Sequence, residues 1–358
     1  MSSHTSGQAK AKSKDPWVAK RLADLIELIP RRSLQTIAPS ESFSTALAVA
    51  RTVPARYVNN FGFEKRLGRD DARVDLAFNL NSSGVQRLCS LHPSSAIHEI
   101  TPIWRRHSAP PHDGGIWLEF DTSNAHGDYR TPCVFFAFNR DGRLPAMTMV
   151  EQMLSIAIPD AKEKAEAADL LERCIQALPE SARQLQLGFM MNRQTKFRVC
   201  AFFLSCKHLR KFLRAVADER DFTACDELID SYGSLCDDLG VQVSRNADGS
   251  VAIAVELLSR HSPLEHRGAR QNQWAAVLDQ LVTDGRCDRS EQAAVLGWDG
   301  RTEFQVPVIE RLLARLEDSE ATVVSGTLHT FVNHIKVGFD QAQRVAAKAY
   351  LGAFLAAN

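Results

Sequence analysis

Residues 181–203 read SARQLQLGFMMNRQTKFRVCAFF, two alternating runs around a short polar turn at Asn192-Arg193-Gln194-Thr195. That pattern predicts a β-hairpin. Strand side chains alternate with period two, so Leu185, Leu187, Phe189 and Met191 share one face of the first strand, with Gln186, Gly188 and Met190 on the other. In the second strand Phe197, Val199, Ala201 and Phe203 oppose Lys196, Arg198, Cys200 and Phe202. One face of the hairpin is apolar and the other carries a lysine and an arginine. Helical patterns flank it: residues 161–178 place Leu170, Leu171, Cys174, Ile175 and Leu178 on one stripe, and residues 207–217 follow the hairpin.

The same arrangement recurs along the chain. Residues 72–80 alternate, with Val74, Leu76, Phe78 and Leu80 against Arg73, Asp75, Ala77 and Asn79. Residues 116–121 put Trp117, Glu119 and Asp121 on one face, and residues 132–138 return as an apolar strand. Residues 240–244 and 250–257 form a hairpin around Asn246-Ala247-Asp248-Gly249, a good turn sequence. In residues 330–352, His334, Lys336 and Gly338 share a face of the first strand, as do Ala346, Lys348 and Tyr350 in the second. Further helices are expected at 17–29, closed by Pro30, and at 43–53, 82–89, 222–239, 274–282 and 307–316. Residues 92–115, with prolines, histidines and Trp104, read as irregular connection. The order is a loose repeat of helix, strand, strand, helix at 112–178, 162–217, 223–282 and 305–358, with a degenerate copy before 91. Short links between paired strands make the pairs antiparallel.

Composition narrows the function. The 358 residues carry 43 Lys plus Arg and 43 Asp plus Glu, so no net field draws nucleic acid or an anionic membrane. No window of eighteen apolar residues predicts a membrane span. Residues 1–16 are polar and lysine-bearing and read as a disordered tail, with 17–358 as a single domain. The eight cysteines show no paired-metal spacing, several sit on apolar faces, and a reducing cytoplasm fits them best. The histidines of 92–112 fit no standard metal site. There is no Walker sequence and no dinucleotide fingerprint. No Asp-Asp-x-x-Asp element is present either, and Asp70-Asp71 and Asp237-Asp238 are isolated doublets. No residue is therefore assigned to a metal and no cofactor is expected; magnesium is compatible with a diphosphate substrate but has no motif here.

The fold class is α+β, and two architectures accommodate the polar strand faces. One is an open antiparallel sheet with a solvated face. The other closes the strands into a barrel with helices outside and a polar lumen. A TIM barrel would need parallel strands alternating singly with helices. Lys196, Arg198, Lys336 and Lys348 recur near strand ends, and grouped cations in a concave site call for an anion such as a phosphate or diphosphate.

Serial α-β-β-α units with Lys196-Phe197-Arg198, Lys336 and Lys348-Ala349-Tyr350 on inner faces resemble the ABBA aromatic prenyltransferases. The resemblance implies an antiparallel β-barrel with a polar lumen surrounded by helices. It also implies an allylic diphosphate held by lysines, arginines and tyrosines, and isoprenyl transfer to an aromatic small molecule or peptide side chain. On that reading Lys196, Arg198, Lys336, Lys348, Tyr350 and Gln186 bind substrate, and Trp117 and Phe202 wall the carbocation. Glu119 is the first choice of proton acceptor and Glu256 the second. Plainer roles compete. Glu119 reads equally as a partner of Lys196 or Arg198 across the sheet, and Lys336 and Lys348 equally as ordinary cross-strand lysines. Tyr350 reads first as structural, His334 as a hydrogen-bonded sheet residue rather than a base, and Trp274 and Trp298 as core. The alternative functions are a non-catalytic protein holding an anionic small molecule or peptide in a polar cavity, and an accessory protein whose polar sheet face meets a partner.

Overall fold

A closed antiparallel barrel organises the chain. In the computed structural model the described residues are 20–38, 40–68, 74–91, 95–107, 115–121, 131–139, 145–190, 193, 196–245, 251–305, 325–339 and 345–356. Expectations on residues 1–19, Asp70, Asp71, Arg73, the 246–249 turn and the 307–316 helix lie outside them.

Among the described residues three helices come first: α1 (Leu22–Glu27), α2 (Arg31–Ile37) and α3 (Ser40–Ala50). Strand pairs and helix pairs then alternate: β1 (Val58–Leu67) and β2 (Val74–Leu80), α4 (Ser82–Leu91) and α5 (Ser95–His107), β3 (Ile116–Phe120) and β4 (Cys133–Asn139), α6 (Met147–Ala157) and α7 (Ala161–Ala177). Next come β5 (Gln184–Phe189) and β6 (Phe197–Leu204), α8 (Cys206–Val216) and α9 (Glu219–Tyr232), β7 (Asp238–Arg245) and β8 (Val251–Leu258), α10 (Arg267–Thr283) and α11 (Arg289–Leu296). The chain ends with β9 (Gly300–Gln305), β10 (Ser325–Phe339) and β11 (Val345–Ala356).

The strand order is β11-β1-β2-β3-β4-β5-β6-β7-β8-β10, and β11 pairs back onto β10, so ten strands close. β9 lies outside the closure and pairs with the first half of β10, while β8 pairs with the second half. Parity explains the two layers. Leu185, Leu187 and Phe189 of β5 and Phe197, Val199 and Ala201 of β6 face outward into a buried core shared with the helices. Leu170, Leu171 and Cys174 of α7 and Leu209, Phe212 and Leu213 of α8 belong to that same core. Each such leucine or phenylalanine contributes roughly 1.5–3 kcal/mol by leaving water. The polar parity is left facing the lumen. Side-chain caps start the outer helices: Asp160, Ser205, Asp218 and Asp288 each accept from the backbone three residues on.

Several local expectations need correction. Residues 95–107 are helix rather than connection; Pro102 masks a stripe of Ile97, Ile100, Ile103 and Trp104, all buried in the core. The helix expected at 222–239 ends at Tyr232, and Asp238 already starts β7. α10 begins at Arg267, seven residues before the helix expected at 274–282. β1 makes the supposedly degenerate first copy a complete one. Phe203 does not face outward with Ala201. The register shifts between Ala201 and Leu204, Phe203 takes φ 64°, and both Phe202 and Phe203 border the lumen.

Candidate active site

The lumen holds a cavity of about 370 Å³ whose wall includes Trp117, Glu119, Gln186, Phe202, Gln242, Glu256, His334 and Tyr350. One side is apolar: Trp117, Phe135 and Phe202 gather with Cys133, Met190 and Cys200. Burial pushes both of these thiols up, so neither is a thiolate at neutral pH. Gly188 makes room for this wall, because a Cβ there would stand 2.5 Å from the Phe135 ring.

Elsewhere the inner parity of the strands carries cations, which do not line the cavity itself. Register places Arg66 of β1 opposite Lys348 of β11, and Lys348 opposite Lys336 of β10, a row of three cations. Like charges in direct register repel, so their partners decide whether the row can stand. Glu64, buried one step along β1, accepts from both the Lys348 ammonium and the Tyr350 hydroxyl. Arg66 Nη2 lies 3.2 Å from Asp75 Oδ2. Lys336 Nζ donates to Tyr350 Oη at 2.7 Å and to Gln242 Oε1 at 3.2 Å. The Gln242 amide nitrogen donates to Glu256 Oε1. Arg198 Nε donates to Ser244 Oγ at 2.9 Å. A hydrogen-bonded chain thus runs Lys348, Glu64, Tyr350, Lys336, Gln242, Glu256 across five strands.

This crowding shifts the titrations. Burial alone would raise Glu64, but Lys348, Lys336 and Arg66 outweigh it and hold the carboxyl well below 4.5. Burial, with Glu64 beside it, raises Asp75 to about 7. Burial also raises Glu256 to about 7, against the pull of Lys336. Lys336 is lowered to about 8 by burial and by Lys348. His334 is lowered to about 3 by burial and then by Lys336, so its ring is neutral. Burial and the Glu64 charge push the Tyr350 phenol well above 10.

The inner parity of six strands carries Arg198, Lys336, Lys348, Tyr350, Glu256, Gln186, Glu119 and Trp117, of which Tyr350, Glu256, Gln186, Glu119 and Trp117 border the cavity. Lys196 precedes β6, outside the strand, and like Arg66, Arg198, Lys336 and Lys348 it is not among the residues that border the cavity. Glu119 pairs with neither Lys196 nor Arg198. Its partner is Arg193, which reaches from beyond β5 to Glu119 and also to Asp121 Oδ2 at 2.6 Å. His334 is more than a sheet residue: it borders the cavity and stacks on Tyr350, ring centroids 3.9 Å apart. Trp274 and Trp298 are core, as expected. Sequence reading passed over Glu64 and Arg66, because Lys65 interrupts the apolar parity of β1. Lys65 faces out, buried, 3.8 Å from Glu291 of α11. Asn60, also on β1, was missed for the same reason. Among the described residues, no group of three His, Cys, Asp or Glu is placed to hold a metal ion, and no helix is long and apolar enough to cross a membrane.

No protein-family model matches the sequence and no curated protein is significantly similar to it. Solved structures are similar throughout its length. AnaPT from Neosartorya fischeri is 13% identical with a TM-score of 0.54, covering 94% of each chain. NotF, solved in complex with brevianamide F and DMSPP, is 10% identical with a TM-score of 0.54 over 92% of each chain. The prenyltransferase PriB is 12% identical with a TM-score of 0.50 over 92% of this chain and 95% of its own. The fold of this chain is therefore the ABBA-type barrel of the aromatic prenyltransferases.

Proposed function

We propose that the chain transfers an isoprenyl group from an allylic diphosphate to an aromatic acceptor, a small molecule or a peptide side chain, bound inside the barrel. The observation that carries this reading is the in-register row Arg66–Lys348–Lys336, facing an interior whose opposite side is aromatic. Solved neighbours of the same fold support it, NotF in particular, whose complex holds brevianamide F and DMSPP.

As the allylic carbon–oxygen bond breaks, its electron pair leaves on the diphosphate, and the cation row stabilises that developing charge. Fixed donors of this kind are worth roughly 10²–10³ in rate each. Trp117, Phe202 and Phe203 present π-faces to the allylic cation and keep water from it. The acceptor's aromatic carbon bonds to the allylic carbon, and a carboxylate takes the proton. Glu256 is better suited than Glu119. It is raised to about 7 and one of its oxygens has no partner, whereas Arg193 already neutralises Glu119.

The test is a thermal-shift titration with dimethylallyl or geranyl diphosphate. A ligand of the folded state raises Tm by mass action. The wild-type chain is expected to show the rise, and Arg66→Met, Arg198→Met and Lys348→Met to lose most of it. A wild type that does not respond, or variants that respond as it does, would refute the reading.

A further inference from the structure

Two polar atoms on the cavity wall are left over by the network. Glu256 is 1% exposed; its Oε1 is taken by Gln242, while Oε2 has no partner. His334 Nε2 also has none, and the two atoms stand 3.8 Å apart, too far to bond each other. The protonation pattern of His334 follows from its other nitrogen. Asn333 Nδ2 lies 3.1 Å from His334 Nδ1, and an amide N–H only donates. Nδ1 therefore accepts, and in a neutral ring the proton sits on Nε2. Stacking on Tyr350, with 17° between the planes, holds the ring in place. The cavity wall thus holds one fixed donor and one fixed acceptor side by side, both buried and both without a partner. Buried polar atoms left without partners cost free energy, so a group that satisfies both is favoured.

We propose that Glu256 and His334 clamp an aromatic hydroxyl, which makes the acceptor a hydroxyarene; this rests on the prenyl-transfer reading. A single oxygen that donates to Glu256 Oε2 and accepts from His334 Nε2 spans 3.8 Å with two bonds of ~2.8 Å. An indole N–H, a donor only, would satisfy Glu256 and leave the histidine proton unmet. The clamp also primes the ring. Glu256 takes the hydroxyl proton, the oxygen lone pair pushes into the ring, and the ortho or para carbon bonds to the allylic carbon as diphosphate departs with its electron pair. Glu256 returns its proton to the oxygen and, a carboxylate again, takes the ring C–H proton and releases it to solvent, which restores the arene. The balance is hydroxyarene plus prenyl diphosphate giving prenylated hydroxyarene, diphosphate and one proton.

The experiment is titration calorimetry of the full chain, without diphosphate, using three probes: 1-naphthol, its isostere 1-methylnaphthalene, and indole. The wild type should bind 1-naphthol at least about tenfold more tightly than the other two, the scale of two hydrogen bonds gained. His334→Phe keeps the stack and removes the donor. It should erase the naphthol advantage while 1-methylnaphthalene binds within about twofold of wild type, which shows an intact cavity. Glu256→Gln should shrink the advantage independently. Equal binding of 1-naphthol and 1-methylnaphthalene by the wild type, an advantage that survives both variants, or no binding of any probe would overturn the proposal. If Tm still rises with allylic diphosphate in that case, the clamp alone is wrong; if Tm does not rise either, the transfer reading fails with it.

Discussion

Glu256 and His334 are neighbours in one wall, yet burial moves their titrations in opposite senses, and stability should record it. Glu256 ordinarily titrates at 4.5 and is raised to about 7, so between those values the folded state binds more protons than the unfolded. Its contribution to stability is therefore lost as pH rises through that window. His334 ordinarily titrates at 6.5 and is lowered to about 3, so the unfolded state binds more protons there, and its contribution grows as pH rises. Denaturant midpoints measured from pH 5 to 7.5 for the wild type, Glu256→Gln and His334→Phe isolate the two. The wild type should lose stability relative to Glu256→Gln as pH climbs to 7, and gain relative to His334→Phe up to about 6.5. Each slope is at most ~1.4 kcal/mol per pH unit. Parallel curves for all three proteins would mean that neither group is desolvated as described.

At the scale of the element, β6 shows what alternation reveals and what it hides. From Phe197 to Ala201 the outward parity holds, and the hairpin register Phe189↔Phe197 follows from it. The same reading turned Phe203 outward, because period two has no way to register an extra residue. The bulge before Leu204 is set by packing against β7, which no local pattern encodes. β1 failed for a related reason: a buried Lys65 stands where an apolar side chain was expected, and with that strand went Glu64 and Arg66. Arg193 reads as a turn residue, since its partners lie more than seventy positions away on β3 and just after it. What was legible were the long alternating pairs and the residues they carry, among them Arg198, Lys336, Lys348 and Tyr350. The bulge itself makes a prediction. A non-glycine residue at φ 64° costs roughly 1–2 kcal/mol, and a β-branched one more. Phe203→Val should lower the unfolding free energy by about 1–3 kcal/mol. Phe203→Gly, which removes the same ring but suits the backbone, should stay within about 1 kcal/mol of wild type. Both should weaken binding of a geranyl chain alike. Equal destabilisation by the two would show that the ring, and not the backbone, governs this position.

For the whole molecule the decisive feature is closure. An open sheet and a barrel can be written from the same strands, and they differ only in whether β11 has one neighbour or two. Here β11 pairs with β1 from Asn60↔Phe354 to Leu67↔Ala347, and with β10 from Thr327↔Ala356 to Phe339↔Val345. Closure is what makes the charged row useful, because walls on all sides keep the local dielectric low and so strengthen each ion's field. It also removes the edges that would otherwise invite aggregation. β9 stays outside as an edge strand, and its exposed Arg301 and Glu303 suit that place. Amide hydrogen exchange distinguishes the two arrangements directly. In the barrel, the β11 amides from Ala347 to Ala353 are bonded to one neighbour or the other and should exchange only through global unfolding. That makes them ~10³-fold or more slower than free amides, given a stability of ~5 kcal/mol or above. The edge amides of β9 should exchange far faster, by local fraying. In an open sheet every second β11 amide would point to water and exchange like β9. An alternating fast-and-slow pattern along β11 would therefore break the ring, and with it the shared interior on which the charge row and the hydroxyl clamp both depend.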